Sequence, residues 1–298
     1  MIKTSMIRSD KAVSEILGMV MLISIMMLVI GGILLAGVPM IESGKSRARM
    51  EVAANSFLSM QNDIEEVVRG PIWIKDPSTE TNINRLGPSR ETEFELMGGM
   101  LKVLPNRTNI SEKSKTLNIT NNKNLTIIIP PGSITYMADQ ERIVYENGAV
   151  IRKYERGAPM MLSNPLISIY KIDYNNITIS IHAISLNGTL SSVGGDGKAW
   201  IETRLVSYNQ TIQPNSTTPN ANNTYINITS AYPEAWTAFF DEKLQGAGLK
   251  KSPKWNATGY NISGTRPLEI GIYGNWNFGN KNDILLSLYE SRLDVKVR

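Results

Sequence analysis

The chain has 298 residues, a net charge of +4, a single histidine and no cysteine. The lack of cysteine excludes disulfide frameworks and cysteine-based metal sites. Lysine and arginine are spread along the chain and form no basic patch with interleaved aromatic residues, so we expect no nucleic-acid partner.

A run of 26 residues without a charge, from Ile16 to Ile41, follows a short basic leader. About 20 apolar helical residues cross the roughly 30 Å hydrocarbon core of a bilayer, so this run predicts a transmembrane helix in contact with lipid. A helix also satisfies every backbone polar group within the segment, as hydrocarbon requires. Lysine and arginine are equally frequent just before and just after the run, so the positive-inside rule does not orient it.

The residues before the run are Lys11, Ala12, Val13, Ser14 and Glu15, which combine a basic, a small and an acidic side chain. This junction resembles the class III, prepilin-type signal of archaeal type IV pilins and pilin-like proteins. The resemblance implies that a prepilin-type peptidase cuts between Ala12 and Val13 and leaves the helix on the mature protein. Bacterial type IV pilins carry a glutamate at the fifth mature position, which meets the amine of a neighbouring subunit. Glu15 would be third, which leaves its assembly role open, and an uncut signal anchor remains the alternative.

The segment from Glu42 to Arg69 repeats apolar residues at spacings of three and four. These apolar residues are Met50, Ala53, Ala54, Phe57, Met60, Ile64, Val67 and Val68. The spacing predicts an amphipathic helix, and Gly70 with Pro71 predicts its end. We therefore expect a nearly continuous helix from about Val13 to Arg69.

From Ile72 onward the apolar period changes to two, which predicts many short strands in a β-sandwich or a meander. Asn147 and Gly148 separate two apolar segments and predict a type I′ hairpin turn. The stretch from Gln213 to Asn223 predicts an exposed loop. After Gly246 we expect loop-rich chain to Gly264, followed by strands near 268–276 and 284–297.

One helix is predicted within this β-rich region, from Ser230 to Gln245, with Pro233 in its first turn. Its apolar face consists of Trp236, Phe239, Phe240 and Leu244. These side chains predict packing against a sheet rather than a platform for a ligand.

Asn-x-Ser/Thr sequons are dense in the C-terminal part and absent before Asn106. The twelve sequon asparagines are Asn106, Asn109, Asn118, Asn124, Asn176, Asn187, Asn209, Asn215, Asn222, Asn227, Asn256 and Asn261. Acceptor asparagines belong on the surface of exported domains. The sequons therefore predict a glycosylated, extracellular C-terminal domain, and the other interpretation is a β-domain that is simply rich in Asn and Thr.

No motif in the chain predicts an enzyme. His182 lies in an alternating strand, on the face opposite the isoleucines, and a lone imidazole without thiolates excludes the usual zinc sites. Gly194 to Lys198 lacks the spacing of a phosphate loop and predicts a hairpin turn, with a weaker alternative as a calcium loop. We expect no catalytic residue, no metal and no cofactor.

The sequence thus predicts an α+β protein, with a long N-terminal helix followed by a mainly antiparallel β head that contains one short helix. The expected segments are a leader (1–12), a transmembrane helix (13–41), a stalk helix (42–70) and an extracellular head (71–298). The expected function is that of a membrane-anchored, pilin-like subunit or minor component of a type IV pilus-like filament, with other pilin subunits as partners. The alternative is a non-assembling, membrane-anchored extracellular glycoprotein that acts as a binding or envelope module.

Overall fold

The computed structural model describes residues 6–69, 88–106, 116–121, 126–171, 176–212, 223–251, 259–273 and 283–298. Contacts divide the chain into two compact units, Met1–Ala48 and Arg49–Arg298. We call the second of these the head unit.

Helix α1 extends over Met6–Val68 and is continuous across Pro39. It starts earlier than the expected Val13, because residues 6–12 contain neither glycine nor proline. Its end at Val68 agrees with the predicted end near Arg69, whereas the predicted stop signal at Gly70 and Pro71 lies outside the described residues.

Within the described residues, the head unit contains the second part of α1, seventeen strands and the short helix α2 (Pro233–Gly246). The strands are β1 (Ser89–Glu95), β2 (Met100–Leu104), β3 (Thr116–Asn121), β4 (Thr126–Ile129), β5 (Ser133–Ala138), β6 (Glu141–Glu146), β7 (Ala149–Lys153), β8 (Met160–Ser163), β9 (Ile167–Lys171), β10 (Asn176–Gly188), β11 (Ser191–Gly194), β12 (Lys198–Ile212), β13 (Asn223–Thr229), β14 (Lys250–Lys251), β15 (Gly259–Ser263), β16 (Leu268–Tyr273) and β17 (Asp283–Val297). The predicted α+β class is confirmed.

Three sheets are formed, in the strand orders β1-β12-β17-β10-β9, β11-β2-β5-β6-β7-β8 and β14-β15-β16-β13-β3-β4. We call them the first, second and third sheet. Pairing is antiparallel except between β10 and β17 and between β14 and β15. The C-terminal strand β17 lies inside the first sheet, with β12 on one side and β10 on the other.

The second part of α1 packs into one hydrophobic core, which we call the α1 core. The eight apolar residues predicted for the amphipathic face are all buried there, and Phe57 meets Phe94 of β1 edge-to-face at 5.2 Å. The first sheet contributes Ile201 and Leu293, and the second sheet contributes Tyr136. The predicted amphipathic pattern is therefore confirmed.

A second core, the α2 core, forms around α2. Its helix face consists of Ala235, Trp236, Phe239, Phe240 and Leu244, all buried, which confirms the predicted apolar face. The inner face of the third sheet and residues 177–183 of β10 complete this core. At the start of α2, the Ser230 hydroxyl accepts a hydrogen bond from the Tyr232 N–H, and Pro233 occupies the first turn.

The hairpin of β6 and β7 separates the two cores. Because side chains alternate along a strand, Tyr145 and Val150 enter the α1 core, whereas Val144 and Ile151 enter the α2 core. The turn of this hairpin has φ values of 48° at Asn147 and 82° at the next residue, which is glycine. Two positive φ values in a two-residue loop are those of a type I′ turn, so the predicted turn is confirmed.

Helix α1 contacts this turn through Gln61. Gln61 is a buried polar residue on the apolar face of the helix, and its Nε2 donates to Gly148 O at 2.8 Å and to Asn164 O at 2.9 Å. The Oδ1 of Asn147 accepts from the backbone N–H of Ile184 on β10 at 3.0 Å. Helix, hairpin and first sheet are therefore joined by polar contacts at one place.

Ion pairs connect the rim of α1 to the strands. Arg152 is nearly buried and contacts Glu141 at 3.0 Å and Glu51 of α1 at 3.5 Å. Near the end of α1, Arg90 of β1 pairs with Glu66 at 2.9 Å. Such partly exposed pairs contribute little free energy individually, so they fix the position of the helix more than its stability.

Three predictions about the strands are wrong. The chain forms three sheets rather than one sandwich or meander, and residues 259–263 form a strand although loop was expected. Residues 194–198 do form a turn, but it is no hairpin, because β11 pairs with β2 and β12 pairs with β1 and β17. The predicted loop at 213–222 and the predicted strand end at 274–276 lie outside the described residues.

Replacing Gln61 with Met is expected to lower the free energy of unfolding by about 1–3 kcal/mol, since two backbone carbonyls lose a buried donor. Urea unfolding of the full chain in detergent, followed by near-ultraviolet circular dichroism, measures this loss. Asn62→Met is the matched control, because Asn62 is exposed on the same turn of α1. Equal stability of the two variants would contradict the anchoring role of Gln61.

Candidate functional site

The first part of α1 presents an apolar surface that the described chain does not cover. From Ile16 to Ile41 the large apolar side chains are exposed, with 76% of Leu28 and 83% of Leu35 accessible. Soluble monomeric proteins rarely expose apolar patches of this size to water. The helix is long and apolar enough to cross a membrane.

The backbone of this apolar part is compatible with hydrocarbon. Its polar side chain at Ser24 donates a hydrogen bond to Val20 O at 2.8 Å, inside the helix. The four glycines at positions 18, 31, 32 and 37 have no described heavy atom within 4 Å of an added Cβ atom. They leave room for the close approach of another helix.

The residues predicted for processing and assembly lie on α1. Ala12 and Val13 are within the helix, and Glu15, two residues after Val13, is exposed. Among the residues whose side chains the structure describes, none forms an ion pair with Glu15.

Seven of the twelve sequon asparagines lie on described backbone, in or beside strands. Asn209 and Asn261 are exposed, and Asn118, Asn187 and Asn227 are half-buried. Asn176 begins β10. Asn109, Asn124, Asn215, Asn222 and Asn256 lie outside the described residues.

Asn106, the remaining described sequon asparagine, is held by the fold. Its Nδ2 donates to the hydroxyl of Ser185 at 2.9 Å, and this hydroxyl donates to Pro130 O at 2.9 Å. Ser185 is fully buried. The nitrogen that a glycan would occupy is therefore already part of a buried hydrogen-bond chain.

A polar groove of about 410 Å³ lies within the head unit between α1 and β1. It is lined by the carboxylates of Asp63, Glu91, Glu93 and Glu95. Asp63 accepts a hydrogen bond from Thr92 at 2.7 Å, and Glu93 pairs with Lys198 on β12. The groove presents negative charge at an open surface, which attracts cations in general and selects none of them.

The histidine forms a polar contact that the sequence did not predict. His182 Nε2 lies 2.8 Å from Ser291 Oγ, and the rings of Tyr208 and Tyr289 flank the imidazole at 5.9 Å. The predicted position of His182 opposite Ile177, Ile179 and Ile181 is confirmed. The parallel register of β10 and β17 brings the pair together, and no local sequence signal reports such a pairing between distant strands.

Hydrolase triads also contain a serine beside a histidine, together with a carboxylate that orients the imidazole. The exposure of Ser291 and the partners of His182 therefore have to be compared with such a triad. Ser291 is fully buried, and no carboxylate of the described chain hydrogen-bonds to His182. In the described part of the chain, no three His, Asp or Glu side chains are close enough to hold a metal ion. The pair serves packing between two strands, and the predicted lack of enzymatic activity stays a prediction.

A family model with the description "Family of unknown function (DUF7289)" matches residues 11–259. The match begins just before the proposed processing site and covers α1 from residue 11 onward, β1 to β14 and α2. No curated protein and no solved structure matches the chain.

His182 makes the stability of the head unit depend on pH. Burial lowers the pKa of His182 from its ordinary value near 6.5 to about 4. The unfolded chain therefore binds a proton that the folded chain excludes, and stability should fall as the pH drops from 6.5 to 4, by at most about 3 kcal/mol. His182→Gln should flatten this dependence in urea unfolding at pH 7, 5.5 and 4.

Because the chain has a single histidine, its imidazole proton resonance can be followed in the full chain without assignment by mutation. The resonance should stay unchanged until the pH approaches 4. A ring that titrates near pH 6.5 would contradict the buried contact with Ser291.

Proposed function

The chain belongs to the DUF7289 family, and we propose that it is a pilin-like surface protein anchored by α1. It acts as a subunit or minor component of a type IV pilus-like filament. The apolar half of α1 lies in the membrane before assembly and in the filament core afterwards. The head unit is extracellular and glycosylated.

One observation carries this proposal: a single helix has an exposed apolar half and a buried amphipathic half. Residues 16–41 expose apolar side chains throughout, whereas residues 50–68 bury theirs in the α1 core. A plain membrane anchor requires only the first property. A helix that also serves as the central element of the head is the arrangement found in pilins.

The junction at Ala12 and Val13 supports processing by a prepilin-type peptidase. Cleavage there would create a new amine at Val13, two residues before the exposed Glu15. Two charged groups near the edge of an apolar helix are costly in a filament core unless they are paired. We propose that Glu15 accepts the amine of a neighbouring subunit.

The described sequons support an extracellular head and give a specific test. In protein purified from the native cell, mass spectrometry of proteolytic peptides should find glycan on the exposed Asn209. The peptide that contains Asn106 should be bare, because its Nδ2 is bonded to Ser185. Bare sequons throughout, together with protection of the head from protease added to intact cells, would place the head inside.

Assembly is tested at Glu15. Glu15→Leu is expected to reduce the amount of this protein in sheared filaments at least several-fold, because the amine at Val13 loses its partner. Immunoblots of sheared and membrane fractions measure the distribution. Glu42→Leu is the matched control, since Glu42 is an exposed carboxylate on α1 beyond the apolar run.

N-terminal sequencing accompanies this test and should find Val13 in the wild type and in both variants. A wild type that begins at Met1 would refute the processing step. A wild-type protein that never enters the sheared fraction would refute the filament, and a membrane-anchored glycoprotein that does not assemble would then be the better description.

A further inference from the structure

The outer face of the third sheet carries an ordered row of three side chains. Along β13, Thr224, Ile226 and Ile228 point into the α2 core, and the alternating residues are half-buried on the opposite face. These outer residues include Tyr225, Asn227 and Thr229. With a rise of about 3.3 Å per residue, successive members of the row are about 7 Å apart.

The ring of Tyr225 is held in place by its neighbours. Tyr273 of β16 contacts it edge-to-face, with ring centroids 6.1 Å apart. Gly271, the register partner of Tyr225, is what allows this, because a Cβ atom at Gly271 would lie 2.4 Å from the Tyr273 hydroxyl. The hydroxyl end of Tyr273 therefore occupies the space above Gly271, and its ring contacts the Tyr225 ring.

Asn227 follows this ring on the same face and is available for modification. Among the described residues, none hydrogen-bonds to its side chain, in contrast to Asn106. Its register partners are Asn118 on β3 and Glu269 on β16. Tyr225 stands two positions before Asn227, an arrangement that the sequence repeats at Tyr174 and Asn176, where Tyr174 lies outside the described residues.

We propose that Asn227 bears an N-linked glycan whose first pyranose ring packs on Tyr225 and thereby stabilises the third sheet. This inference rests on the proposed extracellular head. In the transfer, Asn227 Nδ2 forms a bond to C1 of a sugar carried on a polyprenyl phosphate. The bond from C1 to the phosphate oxygen breaks, the phosphate keeps the electron pair, and Nδ2 loses one proton to a base of the transferase.

The contact follows from the chemistry of both surfaces. One face of a pyranose presents C–H groups, which carry slight positive charge, and the face of an aromatic ring is negative. A sugar on Nδ2 of Asn227 can lean over the flat side of Tyr225, whose own position is fixed by Tyr273. Since the ring is already ordered, little conformational entropy is lost when the sugar packs on it.

Asn118 lies directly opposite Asn227 on the neighbouring strand β3, and only one of these two asparagines can carry a glycan. Side chains directly opposite each other in antiparallel strands have Cβ atoms about 5 Å apart, which is too close for two attached sugars. Asn118 Oδ1 accepts a hydrogen bond from the Thr120 hydroxyl at 3.3 Å, whereas no described residue hydrogen-bonds to the side chain of Asn227. Asn118 also lacks an aromatic residue two positions earlier.

The test combines occupancy with thermal stability in the full chain purified from native cells. Peptide mass spectrometry should find glycan on Asn227 and none on Asn118. Thr229→Val destroys the sequon while keeping Asn227 and Tyr225, and it should lower Tm by about 2–4 °C, the usual scale for one lost favourable contact in a domain of this size. In a Tyr225→Leu background the same substitution should leave Tm unchanged.

Two controls isolate the contact. Ser263→Ala removes the Asn261 sequon on the same sheet face, where Gly259 stands two residues earlier, and should not change Tm. The wild type, Thr229→Val, Tyr225→Leu and the double variant are also made in a bacterial host without N-glycosylation, which reports the effect of the substitutions alone. In that host Thr229→Val should shift Tm equally in the wild-type and the Tyr225→Leu backgrounds.

The results that would contradict this inference differ for the glycan site, for the stacking contact and for the extracellular head. Glycan on Asn209 or Asn261 with Asn227 bare, or on Asn118 in its place, refutes this site but leaves an extracellular glycoprotein. An occupied Asn227 whose loss costs the same Tm in the Tyr225→Leu background refutes the stacking. Bare sequons throughout refute this inference together with the extracellular head.

Discussion

Helix α1 is one continuous helix whose first part exposes its apolar side chains and whose second part buries them. The arrangement of the head depends on this second part. Over residues 16–41 the large apolar side chains are exposed in the described chain, and the helix is long and apolar enough to cross a membrane. Over residues 50–68 the helix supplies the centre of a core between two sheets. Gln61 marks the depth of this insertion, because its two hydrogen bonds form only when the helix lies against the β6–β7 turn.

Several strands of the head unit contribute side chains to both the α1 core and the α2 core. In β10 and β17, one part of the strand contributes to the α1 core and the other part to the α2 core, through opposite faces of the sheet. The β6–β7 hairpin does the same with alternating residues. The hairpin is also tied to β10, because Asn147 Oδ1 accepts a hydrogen bond from the backbone N–H of Ile184. A shift of register in one sheet would therefore disturb both cores.

Sequence patterns predicted those parts of the fold that depend on local periodicity. The apolar run, the amphipathic half of α1, the face of α2 around Trp236 and the Asn147 turn each have a signal within a few residues. Strand β15 was missed because its outward residues Asn261 and Ser263 are of types that also mark loops. The division into three sheets, the contact between His182 and Ser291, and the engagement of Asn106 depend on pairing between distant strands, which local patterns do not specify.

The position of β17 determines when the head can fold. This last strand lies between β10 and β12, so until residues 283–297 are available neither strand has its inner partner and both cores lack a wall. Folding dominated by such distant contacts is slow. During synthesis the apolar helix would therefore emerge first, and the head would stay open, with apolar core residues exposed, until residues 283–297 have emerged.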